Sequence, residues 1–476
     1  GYPPERQLRR EAEQKGKTQM NRVTKRTWLM GLFLAILLGG MGLFAIEYVA
    51  NAGTWIVSPG SPHVFNRGNL GCGTVVDRSG NVLLDLTDGR TYSSDPQTRK
   101  STLHWVGDRS GSISAGAVAR YSSALAGFDL VNGVYNGVNE GGVEYLTLSA
   151  RVQNAALSAM YGRKGTVAVY NYKTGEILCA VTSPTYDPDN VPDIQGDTTG
   201  AYTGVYLNRF LQASYPPGSI FKIVTCAAAL DCVPDIESRT FTCYGEYAYG
   251  KETITCETAH GTCDLKRALA VSCNCSFAQI AELVGRSNMR KYASQFQITE
   301  KISFDGVTTA AGNYNIDDTG AASFAWSCIG QHTDLVNPCR FMVYMGQIAG
   351  GGTAAVPYLV SQVESGGEVT YQAETKLTDR VMSQELSQKM RQYMRNNVEV
   401  TYGAYKFPGL TVCGKSGTAE LGEGQISNAM FAGFCTDERY PLAFVVAVEN
   451  GGYGAATCVP ILSDVLAECK AVLDGQ

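Results

Sequence analysis

Three short clusters hold residue types that together can perform acyl transfer: Ser219-Ile-Phe-Lys222, Ser272-Cys273-Asn274 and Lys415-Ser416-Gly417-Thr418. Ser219 offers a hydroxyl that can be acylated, and Lys222, three residues on, shares its face of a helix. Ser272 can relay a proton and Asn274 can grip an amide. Lys415, on a strand bearing Gly417, can hold an anionic group close to backbone N–H donors, with the hydroxyls of Ser416 and Thr418 beside it. Taken singly, each cluster is a weak signal. Ser-x-Asn also occurs at Ser79-Gly80-Asn81, where a hairpin turn is the plainer reading.

The flanking residues sharpen them. Tyr215-Pro216-Pro217-Gly218 imposes a stiff turn, and an apolar, Ala-rich run from Ile220 to Leu230 then reads as a buried helix. Ser219 therefore falls at a helix N-terminus, where free N–H groups favour developing negative charge. A mere N-cap at 219 with a surface charge at 222 is the bland alternative. The ordered recurrence of all three clusters outweighs it.

With these motifs the chain resembles the class B, monofunctional penicillin-binding proteins, which are peptidoglycan D,D-transpeptidases. Further segments carry the resemblance. Phe65-Asn66-Arg67-Gly68 with Gly73 to Gly80 is similar to the strand pair of the family's N-terminal pedestal, and Thr147 to Gln153 to the entry helix of its catalytic domain. Gly330-Gln331 followed by Asn337-Pro338 resembles the stretch beside the family's active site. Lys-Ser-Gly stands where Lys-Thr-Gly is commoner, and a hydroxyl is retained.

Composition sets the frame. A chain of 476 residues exceeds the range of a single core, so at least two domains are expected. Charged residues make up only 17% and the net charge is −5, which argues against a nucleic-acid partner. The charge is unevenly placed. Arg6, Arg9, Arg10, Lys15, Lys17, Arg22, Lys25 and Arg26 precede an uncharged run from Thr27 to Ile46, long enough to span a bilayer as a helix. The basic side should stay cytoplasmic and Glu47 onward should lie outside. A cleaved signal peptide ending near Ala50-Asn51-Ala52 is the competing reading, but both the apolar and the basic stretches are long for one.

The expected organisation is a polar, disordered cytoplasmic tail (1–26), a transmembrane helix (27–47), a small, mostly β pedestal (48–147) and a catalytic domain (148–476). In the pedestal, Val82 to Leu84 and Val131 to Val138 read as strands and Ile113 to Leu125 as a helix. In the catalytic part a hairpin turns at Lys173-Thr174-Gly175. Helices follow at 219–231, 264–285 and 338–350, then strands at 410–419, 429–435 and 442–448, and a last helix from Cys458. The fold class is α+β: a five-stranded antiparallel sheet flanked by helices, with a helical subdomain.

Fifteen cysteines are unusual for an exported domain. Cys243 and Cys256 flank a hairpin-like stretch and are placed to form a disulfide. Zinc held by Cys243, Cys256, His260 and Cys263 is a weaker alternative.

The resemblance implies roles. Ser219 is the nucleophile and Lys222 its base, neutral when it acts because of burial beside Lys415. Ser272 relays a proton, Asn274 holds the acyl chain's amide, and Lys415, Ser416, Gly417 and Thr418 take the donor's carboxylate. The N–H groups of Ser219 and Thr418 form the oxyanion hole. No cofactor is implied. The implied partners are peptidoglycan stem peptides ending in D-Ala-D-Ala, β-lactam antibiotics, the membrane through one span, and a multi-spanning peptidoglycan glycosyltransferase that supplies the sugar strands. A β-lactam sensor, a carboxypeptidase or a β-lactamase-like hydrolase are the rival readings. His332, Trp326, Phe324 and Glu420 read as structural, and Tyr402 and Tyr405 are left outside the site.

Overall fold

Two early strands and three late ones close into one antiparallel sheet, in the order Val412–Ala419, Asn428–Cys435, Leu442–Val448, Gly165–Asn171, Ile177–Ser183. The computed structural model describes residues 4–56, 65–66, 69–70, 72–87, 89–128, 130–131, 133–134, 141–317, 320–422 and 424–475. Register runs straight across the sheet: Lys415 faces Ala432, Ala432 faces Val445, Val445 faces Ala168 and Ala168 faces Ala180. Both faces are covered, which explains strands that are apolar almost throughout. Val167, Val169, Phe431 and Val446 pack with the helices Ala150–Ala159 and Gly454–Leu473. Their neighbours Ala168, Tyr170, Ala432 and Val445 turn to the other side, where the buried helix Pro338–Ala349 lies. That helix starts as its sequence dictates: Asn337 accepts the Arg340 N–H at 3.1 Å, and Pro338 takes a position that needs no donor.

A second, six-stranded sheet runs in the order Glu368–Gln372, Val360–Ser365, Val143–Leu146, Thr74–Val76, Val82–Asp85, Thr91–Tyr92. Only the central pair, Thr74–Val76 with Val143–Leu146, is parallel. The turn at Ser79-Gly80-Asn81 is the expected one: Asp77 Oδ1 accepts the N–H groups of Ser79 and Asn81, each at 2.9 Å. Two strands of this sheet come from residues 360–372, far beyond the stretch expected to build it.

Other expectations change in detail. The basic segment is not a disordered tail, because one helix runs from Glu5 to Ile56. Arg, Lys, Glu and Gln are good helix formers, and after Pro4 no proline interrupts them. This helix is long and apolar enough to cross a membrane. The helix expected at Ile113–Leu125 is two short ones, Gly116–Arg120 and Ser122–Leu125. The helix expected at 264–285 breaks into Leu265–Ala270 and Asn274–Val284, because Ser272 adopts a left-handed backbone with φ 58°. Arg67, Gly68 and most of 131–138 lie outside the described residues.

Candidate active site

Ser219 occupies a tight turn, Gly218–Phe221, that leads into the helix Lys222–Cys232. Two glycines set that turn. The Gly218 N–H donates to Gly330 O at 2.8 Å. A Cβ on Gly330, at φ 88°, would meet Gly218 O at 2.1 Å, and a Cβ on Gly218, at φ 54°, would meet Thr418 O at 2.5 Å. Gly417 completes the fit, since a side chain there would press on Pro217 O at 2.7 Å. The turn that carries Ser219 is thus packed directly onto the Lys-Ser-Gly strand. Gln331 reaches the same strand, with Nε2 donating to Thr418 O at 3.3 Å.

The side chains expected to work together converge. Lys222 Nζ donates to Ser219 Oγ at 3.0 Å, to Ser272 Oγ at 3.1 Å, to Ser272 O at 2.7 Å and to Asn274 Oδ1 at 2.7 Å. Lys415 Nζ donates to Ser272 Oγ at 3.0 Å and to Ser416 O at 2.8 Å. Ser272 Oγ therefore bridges the two amines, and the left-handed break at this residue is what turns it inward. Asn274 is engaged with the lysine rather than free, and its Nδ2 donates to Thr255 O at 3.0 Å. Thr418 Oγ1 accepts the Gly454 N–H at 3.1 Å.

Both lysines are fully buried, and among the described residues neither forms an ion pair. Burial pulls Lys222 down from 10.5 to about 7, and the charge of Lys415 adds to that effect. Burial brings Lys415 to about 7 as well, against the opposing pull of Glu257. A lysine held there can be neutral at physiological pH and take a proton from a hydroxyl 3.0 Å away.

One residue left aside in the sequence belongs here. Tyr402 is buried, and its hydroxyl lies 3.0 Å from Ser416 Oγ and 3.4 Å from Lys415 Nζ. Tyr405 is exposed. A lone tyrosine in a polar stretch has no motif, and only the fold shows which of the two turns inward. His332 and Glu420 are exposed, and Phe324 lies in the core.

The expected Cys243–Cys256 bridge is not formed, and all fifteen cysteines are free thiols. The set of possible metal ligands also differs from expectation: Cys243, Cys256, His260 and Cys273 gather, and Cys263 does not join them. Strand pairing sets Cys263 opposite Phe241, whereas the break at Ser272 brings Cys273 in.

The sheet, its helical cover and the paired lysines around one serine define a serine acyltransferase. Residues 165–467 match the penicillin binding protein transpeptidase domain, and the chain belongs to that family. It is 28% identical over 371 residues to the peptidoglycan D,D-transpeptidase PbpA of Mycobacterium tuberculosis, covering 71% of this chain and 73% of the relative. It is 25% identical over 394 residues to stage V sporulation protein D of Bacillus subtilis, covering 79% of this chain and 58% of that protein. Among solved structures it is similar to penicillin-binding protein A from M. tuberculosis in its ceftriaxone acyl-enzyme complex. The TM-score there is 0.73 at 26% identity, over 83% of this chain and 98% of that one.

Proposed function

We propose that this chain cross-links peptidoglycan by serine acyl transfer and is acylated by β-lactams. The observation that carries the reading is the buried Lys222 amine, 3.0 Å from Ser219 Oγ and joined through Ser272 Oγ to Lys415. Neutral Lys222 takes the Ser219 proton as Oγ bonds to the penultimate carbonyl carbon of a D-Ala-D-Ala stem. Collapse of the tetrahedral intermediate breaks the peptide bond, and the departing D-Ala nitrogen receives a proton through Ser272. Lys415, Ser416 and Thr418 hold the donor's terminal carboxylate. Backbone N–H groups of Ser219 and Thr418 face the oxyanion, an interaction worth about 3 kcal/mol of barrier. An amine from a second stem then attacks the ester, giving the cross-link and restoring Ser219.

The apolar helix anchors the chain by a single span, with the sheet domains on the outer face. A separate multi-spanning glycosyltransferase polymerises the sugar strands, as the family resemblance implies. The reading is tested with the full-length chain in detergent and a fluorescent penicillin. Lasting label on the wild type, visible by intact mass, and none on Ser219→Ala supports transfer. Label lost within minutes to water identifies a hydrolase instead.

A further inference from the structure

Four soft donors meet beside the Ser272–Asn274 turn. Cys243 ends the strand Thr240–Cys243, Cys256 follows Glu252–Thr255, His260 precedes Gly261–Asp264, and Cys273 lies between Ser272 and Asn274. The three Sγ atoms and one imidazole nitrogen all lie within 4.8 Å of one another. His260 Nδ1 is 3.3 Å from Cys256 Sγ and 3.7 Å from Cys243 Sγ. Buried cysteines ordinarily pack as small apolar side chains, but that does not require three thiols and an imidazole to converge. A disulfide would use only two of the four.

The spacing suits a metal. Tetrahedral zinc holds thiolate sulfurs at about 2.3 Å, which sets ligand atoms about 3.8 Å apart, so the present cluster needs to contract by about 1 Å at most. Donors already point at the sulfurs. The Asn274 N–H donates to Cys256 Sγ at 3.3 Å, and Ser276 donates to Cys273 Sγ through its N–H at 3.3 Å and its hydroxyl at 3.1 Å. Such contacts stabilise ligating thiolates.

We propose that Cys243, Cys256, His260 and Cys273 bind a zinc ion that fixes the Ser272-Cys273-Asn274 turn against Lys222 and Lys415. On binding, three thiols release their protons to solvent and neutral His260 coordinates through Nδ1, leaving the Zn²⁺ centre with one net negative charge. Four protein ligands close the coordination sphere, so the ion is structural and takes no part in the transfer step. Residues 240–264 form two two-stranded ribbons, Glu246–Tyr249 with Glu252–Thr255 and Thr240–Cys243 with Gly261–Asp264, which join no larger sheet and pack on the core through Phe241, Tyr249 and Ile254. The left-handed backbone at Ser272, costly for a side-chain-bearing residue, also has to be held by its surroundings. The ion ties both ribbons to that residue.

The test uses the full-length chain purified in detergent without added metal or chelator. Elemental analysis should find about one zinc per chain, retained in Cys263→Ser and lost in Cys243→Ser and His260→Ala. Stripping the zinc from the wild type should slow fluorescent-penicillin labelling about tenfold or more, with recovery on adding zinc back. Wild-type protein that holds no zinc and takes none up overturns the site, whether its mass reveals a disulfide or all its thiols titrate free. Iron in place of zinc overturns the metal assigned. Zinc whose removal leaves labelling unchanged overturns the bracing of the turn. Metal content is read without substrate, so it fails or stands separately from the proposed transfer reaction.

Discussion

The Tyr402 hydroxyl lies 3.0 Å from Ser416 Oγ and also accepts the Ser416 backbone N–H at 3.0 Å. One phenol thereby positions both the main chain and the side chain of the residue next to Lys415. Tyr402 stands at the end of the turn Val398–Tyr402, which continues the helix Gln384–Asn397, and its ring meets Phe431 edge-on at 5.1 Å. The strand Val412–Ala419, which carries Lys415 and Ser416, is therefore held from outside the three motifs.

Replacing Tyr402 by Phe keeps the ring packing and removes the acceptor. This N–H is half-buried, so leaving it without its partner costs about 1 kcal/mol, the low end of the range for buried donors. The second-order rate of β-lactam acylation should fall about tenfold, with the loss mainly in binding of carboxylate-bearing ligands. Stopped-flow labelling against a series of β-lactam concentrations separates binding from the chemical step. An unchanged profile would remove Tyr402 from the site.

The pH dependence follows from the lysine pair. Lys222 must be neutral to act, and burial together with the Lys415 charge brings it to about 7, against the opposing influence of Cys256, Cys273 and Glu257. In the proposed mechanism the first proton lost from the pair creates the active form, and the second removes the cation assigned to the donor's carboxylate. Acylation should therefore rise as pH climbs towards 7 and fall again above it, with apparent values that belong to the pair. Glu257 raises both lysines, so Glu257→Gln should move the acid limb to lower pH. A shift to higher pH would contradict the electrostatics assigned here.

The glycine lock offers a steric test. At Gly330 a methyl group would meet Gly218 O at 2.1 Å from a backbone with φ 88°, so Gly330→Ala must displace the nucleophile's turn. A stability loss of at least about 2 kcal/mol is expected, together with slower penicillin labelling of the protein that remains folded. Circular dichroism melts and labelling of the same samples measure both. Normal labelling kinetics would mean that the turn tolerates the displacement.

Much of this site was legible because its chemistry sits in short local motifs. Ser219 and Lys222 share one turn, and Lys415 to Thr418 share one strand, so spacing alone could suggest how each group is presented. The sheet was equally readable, because its strands, buried on both faces, are apolar almost throughout apart from Val412–Ala419, which its own motif marks. What escaped depends on distant partners. Tyr402 matters through Ser416 and Lys415, and the strands at 360–372 join the six-stranded sheet through Val143–Leu146. Ser272 looked like part of one long helix, because nothing local marks a left-handed residue that the lysines and surrounding turns hold in place. Cys263 was grouped with Cys256 and His260 by proximity in sequence, whereas strand pairing sends it elsewhere.

The Tyr215-Pro216-Pro217-Gly218 stretch is anchored through the Tyr215 hydroxyl. Glu449, just past the strand Leu442–Val448, accepts from Arg209 Nε at 2.7 Å and from the Tyr215 hydroxyl at 3.0 Å. Arg209 is nearly enclosed, with 4% of its side chain exposed against 26% for Glu449, and it also donates to Gly204 O at 2.7 Å. Removing the carboxylate leaves a buried guanidinium without its counter-charge. A fully buried pair broken in this way loses about 3–5 kcal/mol, and the partial exposure of Glu449 lowers the expectation for Glu449→Ala to about 2–3 kcal/mol. Glu449→Gln, which keeps an acceptor for both donors, should lose less. Denaturant unfolding gives the stability difference, and labelling at low temperature reports whether the turn still presents Ser219. Because Tyr215 leads directly into that turn, labelling of Glu449→Ala should slow by more than its folded fraction accounts for. If labelling tracks the folded fraction alone, the pair stabilises the fold without positioning the nucleophile.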